Sequence, residues 1–389
     1  MKALLALPLL ALALAQLTLI VNWQREDIEL GRLEAVVFSD AVYAVGKRGS
    51  YLTLAKYGAD GSRVWFNSLD LKANLSVLNA WAGEKELVVI VNLRKGTNNT
   101  ILKLAVGERG EVSVESMASL FPRFYPYDVV EVGKAMYIAG ASYSVLADLD
   151  YLIARVEEAV VWSIEELGGA GNQGYRCILR APEDRLLAVG IGERSVVVTL
   201  VSQLGDVLGN YSLSFVGAQP EVLDCAEVGG GVYASVGRLD GVPLVVKLVM
   251  TSSDLVQVSY SLLSDLPGVA TAVTAIPGGV AVTLASPKGP VLALYDMQGP
   301  DPRLVLSYNL TAVKNLGPIA VAAAVEKIVV GGEAGGRASL VSAELLVPEK
   351  GSSLLRLLPT FLLVLAIAVA ALAIYKRRTK KAIPEGSSK

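Results

Sequence analysis

Apolar runs of four to nine residues, broken by polar or glycine turns, fill the chain from Leu17 to Leu346. They are short and rich in valine and tyrosine, which is how buried strands read. One run in each unit ends on a glycine: VYAVG at Gly46, YIAG at Gly140, LAVG at Gly190, YASVG at Gly237 and IVVG at Gly331. Their spacings of 94, 50, 47 and 94 residues set a unit of about 47, with two copies lacking the glycine. Those copies carry LVVIVN (Leu87 to Asn92) and VAVTLA (Val280 to Ala285) at the same place. A period of this size marks one supersecondary unit repeated as a propeller, solenoid or array.

The runs around each glycine give four antiparallel strands per unit, A to D. After the glycine strand B come a loop, a run such as YLTLAKY (Tyr51 to Tyr57), a tight turn and a run such as RVWFNSL (Arg63 to Leu69). Seven A-to-B turns count seven units: Ser39-Asp40, Gly83 to Glu86, Gly133-Lys134, Glu183-Asp184, Gly229 to Gly231, Pro277 to Gly279 and Glu326-Lys327. The A strands are expected to start near Leu33, Ser76, Tyr127, Tyr175, Val222, Val269 and Pro318. An open stack would leave apolar edges unpaired, so the expected fold is a closed, all-β, seven-bladed propeller of four-stranded antiparallel blades. The seventh unit ends with its C strand, SLVSAELL (Ser339 to Leu346). Leu17 to Leu30, which carries Trp23, is therefore predicted to supply the missing D strand and close the ring.

The stretch Ala154 to Gly190, ARVEEAVVWSIEELGGAGNQGYRCILRAPEDRLLAVG, resembles the SBBP-type β-propeller repeat, with its G…W…GG…G run leading into a vyvvG-like strand. KYGADGSRVW, Lys56 to Trp65, is a second partial match, and the recurring glycines extend the likeness weakly over Leu17 to Val347. The resemblance implies an extracytoplasmic, membrane-anchored propeller with no single activity.

Both ends carry membrane signals. Met1-Lys2, an apolar run and Ala13-Leu14-Ala15 have the order of a secretory signal over residues 1–15, so the propeller domain is expected over 16–347; an uncleaved anchor reaching Val21 is the other reading. Beyond a linker at 348–356, Leu357 to Tyr375 is 19 residues without a charge, enough to cross an apolar layer of roughly 30 Å. Lys376, Arg377, Arg378, Lys380 and Lys381 open the tail at 376–389 and assign it to the cytoplasm. The expectation is a single-pass protein of the cell membrane with the bilayer as a partner and the propeller outside. Its 35 Lys and Arg against 37 Asp and Glu leave no excess charge for nucleic acid.

Cys177 and Cys225 precede their unit glycines by 13 and 12 residues, which places them at equivalent points of adjacent A strands, as a disulfide or as two buried thiols. Asn74, Asn98, Asn210 and Asn309 meet the N-x-[ST] rule for glycosylation. Asn74, Asn98 and Asn309 fall at D-to-A or B-to-C loops, which share one face of a propeller. The C strand of the seventh unit ends on the opposite face, so the sequon-bearing face is expected to point away from the membrane.

The chain has no histidine, which removes the usual general base, the commonest metal ligand and every Ser-His-Asp arrangement. No cofactor is implied. Gly169 to Gly174, GAGNQG, matches a dinucleotide fingerprint by letter but leads into the strand-like YRCILR rather than a helix. Asp148 and Asp150 are the close pair of aspartates in a B-to-C loop, a minimal calcium candidate against a solvated loop. The residues thus favour a non-catalytic binding or scaffold module for a protein, glycan or envelope component. The alternative is an extracellular hydrolase using carboxylates near the propeller axis.

Overall fold

The computed structural model describes residues 18–83, 86–143, 149–166, 173–251, 254–310, 317–324, 327–334 and 337–346. Leu19–Leu345 form one compact unit; of the second unit only Thr18 and Leu346, the outer ends of two strands, are described. The first strand is β1 (Thr18–Asp27). Blade one follows as β2 (Arg32–Phe38), β3 (Val42–Arg48), β4 (Tyr51–Tyr57) and β5 (Arg63–Asp70). Blade two is β6 (Asn74–Ala82), β7 (Leu87–Lys95), β8 (Asn98–Val106) and β9 (Val112–Leu120), and blade three is β10 (Phe124–Val132), β11 (Ala135–Tyr143), β12 (Leu149–Val156) and β13 (Val160–Glu166). Blade four is β14 (Gly174–Ala181), β15 (Arg185–Ile191), β16 (Ser195–Val201) and β17 (Val207–Ser214); blade five is β18 (Pro220–Gly229), β19 (Val232–Leu239), β20 (Val242–Met250) and β21 (Leu255–Leu262). Blade six is β22 (Val269–Ile276), β23 (Gly279–Ser286), β24 (Gly289–Asp296) and β25 (Arg303–Asn309), and blade seven supplies β26 (Gly317–Ala324), β27 (Lys327–Ala334) and β28 (Arg337–Leu346).

Seven four-stranded sheets result, and the last runs β1-β28-β27-β26, so the amino-terminal strand completes blade seven. The middle strands of a blade are covered on both faces by neighbouring blades. That is why they read as unbroken apolar runs: β7 opens with six buried residues, whereas the rim strand β17 has none. The core accordingly lies between blades, as where Val45 and Leu54 of blade one pack with Val89 and Leu104 of blade two.

The repeat glycine lies inside strand B rather than at its end. In all seven blades the A-to-B pairing slips by one residue, leaving Glu34, Leu78, Tyr127, Arg176, Leu223, Thr271 and Ile319 as extra residues on the A strand. Such a bulge bends its strand and adds twist. It also presses an A-strand carbonyl onto strand B: a Cβ at Gly140 would stand 2.2 Å from the Tyr125 oxygen. Glycine removes that clash. Opposite the bulge of blade seven stands Gly332, paired with Pro318, rather than Gly331, which is packed against Leu33 and Val36 of blade one.

The blades are latched at the rim by donors of strand D reaching the C-to-D turn of the next blade. Trp23 Nε1 donates to Ala59 O at 2.9 Å, Trp65 Nε1 to Glu108 O at 2.9 Å and Trp162 Nε1 to Gln203 O at 3.2 Å. Ser119 N donates to Glu158 O, the Tyr211 hydroxyl to Asp254, and Gln257 Nε2 to Pro300 O at 2.7 Å. Blade six has half-buried Leu306 at the tryptophan position, and blade seven has no C-to-D turn because its D strand is β1. Closure is reinforced on β1, where the buried Asp27 carboxylate accepts from the Tyr57 hydroxyl at 2.7 Å and from Arg63 at 3.1 Å. Burial and that carboxylate push the Tyr57 phenol above its usual pKa.

Candidate functional site

The A strands form one edge of every sheet, and their bulge residues line an axial channel of about 460 Å³. A two-residue strand period assigns side chains to alternate faces; one extra residue breaks that assignment and sends an additional side chain into the lumen. The seven bulge positions thus form one level of the channel, carrying a single acid, Glu34, and a single cation, Arg176. Burial raises the Glu34 pKa, opposed by Arg32 and Lys47 nearby. The Arg176 guanidinium lies 4.2 Å from the centre of the Tyr127 ring.

The residue after each bulge reaches the next A strand, and four of these contacts are polar or covalent. Asn79 Nδ2 donates to Val129 O at 2.8 Å; Asp128 Oδ2 accepts from Ile178 N at 2.9 Å. Cys177 is disulfide-bonded to Cys225 with Cα atoms 6.0 Å apart, and Asp224 Oδ2 accepts from Val273 N at 2.8 Å. Together they run as an inner girdle from blade two to blade six. Alanines 35, 272 and 320 hold the place in the other three blades.

Both aspartates are enclosed by protein, and their second oxygens accept from their own following amides, Val129 N at 2.7 Å and Cys225 N at 2.8 Å. Burial pushes Asp128 up to about 7, against the amides of Ile178 and Val129 and with a further upward push from the charge of Asp224. Burial likewise pushes Asp224 up to about 6, against the amides of Val273 and Cys225. By surface the two side chains are only half-buried, because the channel reaches them. That contact with the lumen limits how far enclosure moves them.

The structure rearranges the sequence-predicted sites. The cysteines are not equivalent: Cys177 opposes Val189 directly after its bulge, whereas Cys225 opposes Ser235 one place further on, with Asp224 at the Cys177 position. This offset suits the link, because every girdle contact runs from the first position after a bulge to the second position of the next blade. Asp150 is a buried strand residue of β12 paired with Ser142, not a loop residue, since β12 begins at Leu149; Asp148 lies outside the described residues. Among the described residues no three His, Cys, Asp or Glu side chains gather where a metal could sit. Gly174 opens the strand β14. Asn74 and Asn98 begin β6 and β8, Asn309 ends β25, Asn210 lies within the rim strand β17, and all four side chains are exposed. Residues 1–15, the linker and Leu357 to Tyr375 also lie outside the described residues, among which no helix is long and apolar enough to cross a membrane.

Sequence reasoning missed Asp128, Asp224 and Arg176, although Asn79, Asp128 and Asp224 were visible as polar residues at one place in otherwise apolar A strands. It also missed a surface feature. On the face of the D-to-A and B-to-C loops, blades two and three present Arg94, Phe121, Arg123, Tyr125 and Tyr143. Arg94 stacks on Tyr125 at 4.3 Å, Tyr125 meets Tyr143 at 5.7 Å, and Arg123 lies 5.3 Å from the Phe121 ring. Phe121 and Tyr143 remain 45% and 47% exposed, so contacts among neighbours do not bury the patch. Arg123 is held by Glu165 through two hydrogen bonds, at 2.9 and 3.1 Å.

No protein-family model and no curated protein matches the sequence. Among solved structures, the fold is similar to Raptor of Chaetomium thermophilum, with 9% identity over 84% of this chain and 30% of that one, at a TM-score of 0.56. It is also similar to a puromycin-hydrolyzing peptidase of Mycobacterium tuberculosis, with 12% identity over 80% of this chain and 52% of that one, at a TM-score of 0.50. The chain therefore spans about a third and about half of these two proteins. A Bacteroides uniformis protein with the provisional name 6-phosphogluconolactonase matches at 10% identity over 75% of this chain and 89% of its own, at a TM-score of 0.54. At such identities the likeness is one of fold, and the fold is a seven-bladed β-propeller.

Proposed function

We propose that the chain is a non-catalytic binding or scaffold module, a single-pass membrane protein with its propeller outside the cytoplasm and its contact surface on the D-to-A face. The observation that carries this reading is the aromatic and arginine patch of Phe121, Arg123, Tyr125 and Tyr143. Tyrosine and arginine dominate the energetically important centres of protein interfaces, and a patch left uncovered on a monomer marks an interaction site. Strand β28 runs from Arg337 to the start of β27, where Glu344 pairs with Lys327, and so ends on the A-to-B face, leaving the patch free for a protein, glycan or envelope component. An external setting is supported by the Cys177–Cys225 disulfide and the four exposed sequons. It also rests on the secretory signal, the apolar stretch Leu357 to Tyr375 and the basic tail. The SBBP-like repeat of Ala154 to Gly190 fits the same setting.

Hydrolysis by axial carboxylates is the weaker reading for a stated reason. Both oxygens of Asp128 and of Asp224 already accept backbone amides, so neither carboxylate is poised to attack or to activate water. The test is affinity purification of the full chain from native membranes, beside a Phe121→Ala/Tyr143→Ala variant. A partner retained by the native chain and reduced at least tenfold by the variant is expected. Equal recovery with both, or glycoside or peptide hydrolysis lost on Asp128→Asn, would overturn the proposal.

A further inference from the structure

We propose that the axial channel binds a small monocarboxylate, held by the guanidinium of Arg176 at the level of the bulge ring. Arg176 is presented to the lumen by the bulge of β14, between Tyr175 and Cys177, on the strand that the Cys177–Cys225 disulfide ties to blade five. Its one contact of note is the Tyr127 ring. Among the described residues no hydrogen bond or ion pair engages it, and its Nε is buried without an acceptor. The contrast with Arg180, four residues on and lining the same channel, is sharp: Arg180 donates twice to Glu131 O, at 2.6 and 3.2 Å.

A guanidinium carries five donors in a rigid planar fork, and leaving the buried Nε of Arg176 unpaired is costly. The fork fits a carboxylate through two parallel hydrogen bonds. The cavity, about 460 Å³, is of a size that takes small ligands. Around Arg176 the ring offers apolar and aromatic walls, Leu78, Tyr127, Leu223 and Ile319, suited to a short hydrocarbon or aromatic body. The acids bordering the same space, Glu34, Asp128, Asp224 and Glu227, disfavour a multiply charged anion such as phosphate. With Arg180 committed to Glu131 O, Arg176 is the unpartnered cation facing these carboxyl groups, an arrangement that selects a single negative charge. This site is independent of the surface patch, and its failure leaves the reading of that face untouched.

The experiment is calorimetric titration of the detergent-solubilised full chain with benzoate and propionate, with inorganic phosphate as the contrast. One saturable site for benzoate or propionate is expected, with phosphate at least tenfold weaker. Arg176→Lys should weaken binding at least tenfold because the fork is lost, and Arg176→Met should abolish it. Leu223→Trp, which fills the lumen beside Arg176 and keeps the guanidinium in the chain, should abolish it too and serves if Arg176→Met does not fold. Absence of monocarboxylate binding, phosphate binding as tight as benzoate, or affinity unchanged in Arg176→Lys or Leu223→Trp would overturn the proposal.

Discussion

Asp128 and Asp224 show how one residue type serves a repeated fold. Placed after a bulge, an aspartate reaches the neighbouring blade's amide and replaces a packing contact with an acceptor. The cost appears in the pKa values, raised to about 7 and about 6 by burial. A carboxyl whose folded pKa exceeds its unfolded value near 4 binds its proton more tightly in the native state. Its contribution is then fullest below pH 4 and is lost as pH rises through 6 to 7. Glu34 acts in the same direction. Glu165, lowered by Arg123, acts oppositely, and its contribution is lost only in more acidic solution. Urea unfolding should therefore show the propeller more stable at pH 5 than at pH 8 by about 1–3 kcal/mol, a figure discounted for the lumen contact of both groups. The Asp128→Asn/Asp224→Asn double variant should lose most of that difference. A profile that rises with pH in the native chain, or is unchanged in the variant, would contradict this assignment.

At the level of elements, the rim latches and the inner girdle are two sets of links between successive blades, one at the outer strand and one at the channel. Blade boundaries were legible in the sequence because valine-rich runs and turn residues mark them; β4 occupies the Tyr51 to Tyr57 run itself. The glycine period was legible for a reason the sequence did not reveal, namely the backbone carbonyl that strand B must admit, from the A strand at Gly140, Gly190 and Gly237 and from Leu30 just before it at Gly46. The bulges themselves were not legible, since one added residue shifts the alternation without changing composition. That is why the cysteines were placed one register apart from their true relation and why the lumen-facing residues went unseen. The closing strand was foreseen from the missing D strand, and its test is energetic. Trp23 packs on Tyr57 and Gly61 and donates to Ala59 O, so Trp23→Ala should lower stability by about 2–4 kcal/mol, as should the matching Trp65→Ala. Thermal unfolding that is insensitive to Trp23→Ala while Trp65→Ala is destabilising would mean that β1 does not carry closure.

At the scale of the whole propeller, its two faces differ in chemistry. The A-to-B face has short polar turns such as Ser39-Asp40, whereas the D-to-A face carries exposed Phe121 and Tyr143 beside Arg94 and Arg123. The two faces were legible through the sequons but the patch was not, because its members come from three separate loops of blades two and three. The measurement that tests the account most directly is site-specific photocrosslinking in intact native cells, with the photoreactive side chain at Tyr143 or, on the opposite face, at Asp40. A discrete crosslinked species from position 143 and none from position 40 is the predicted result. Crosslinks from position 40 alone, or from neither position, would contradict a binding module that works through its D-to-A face.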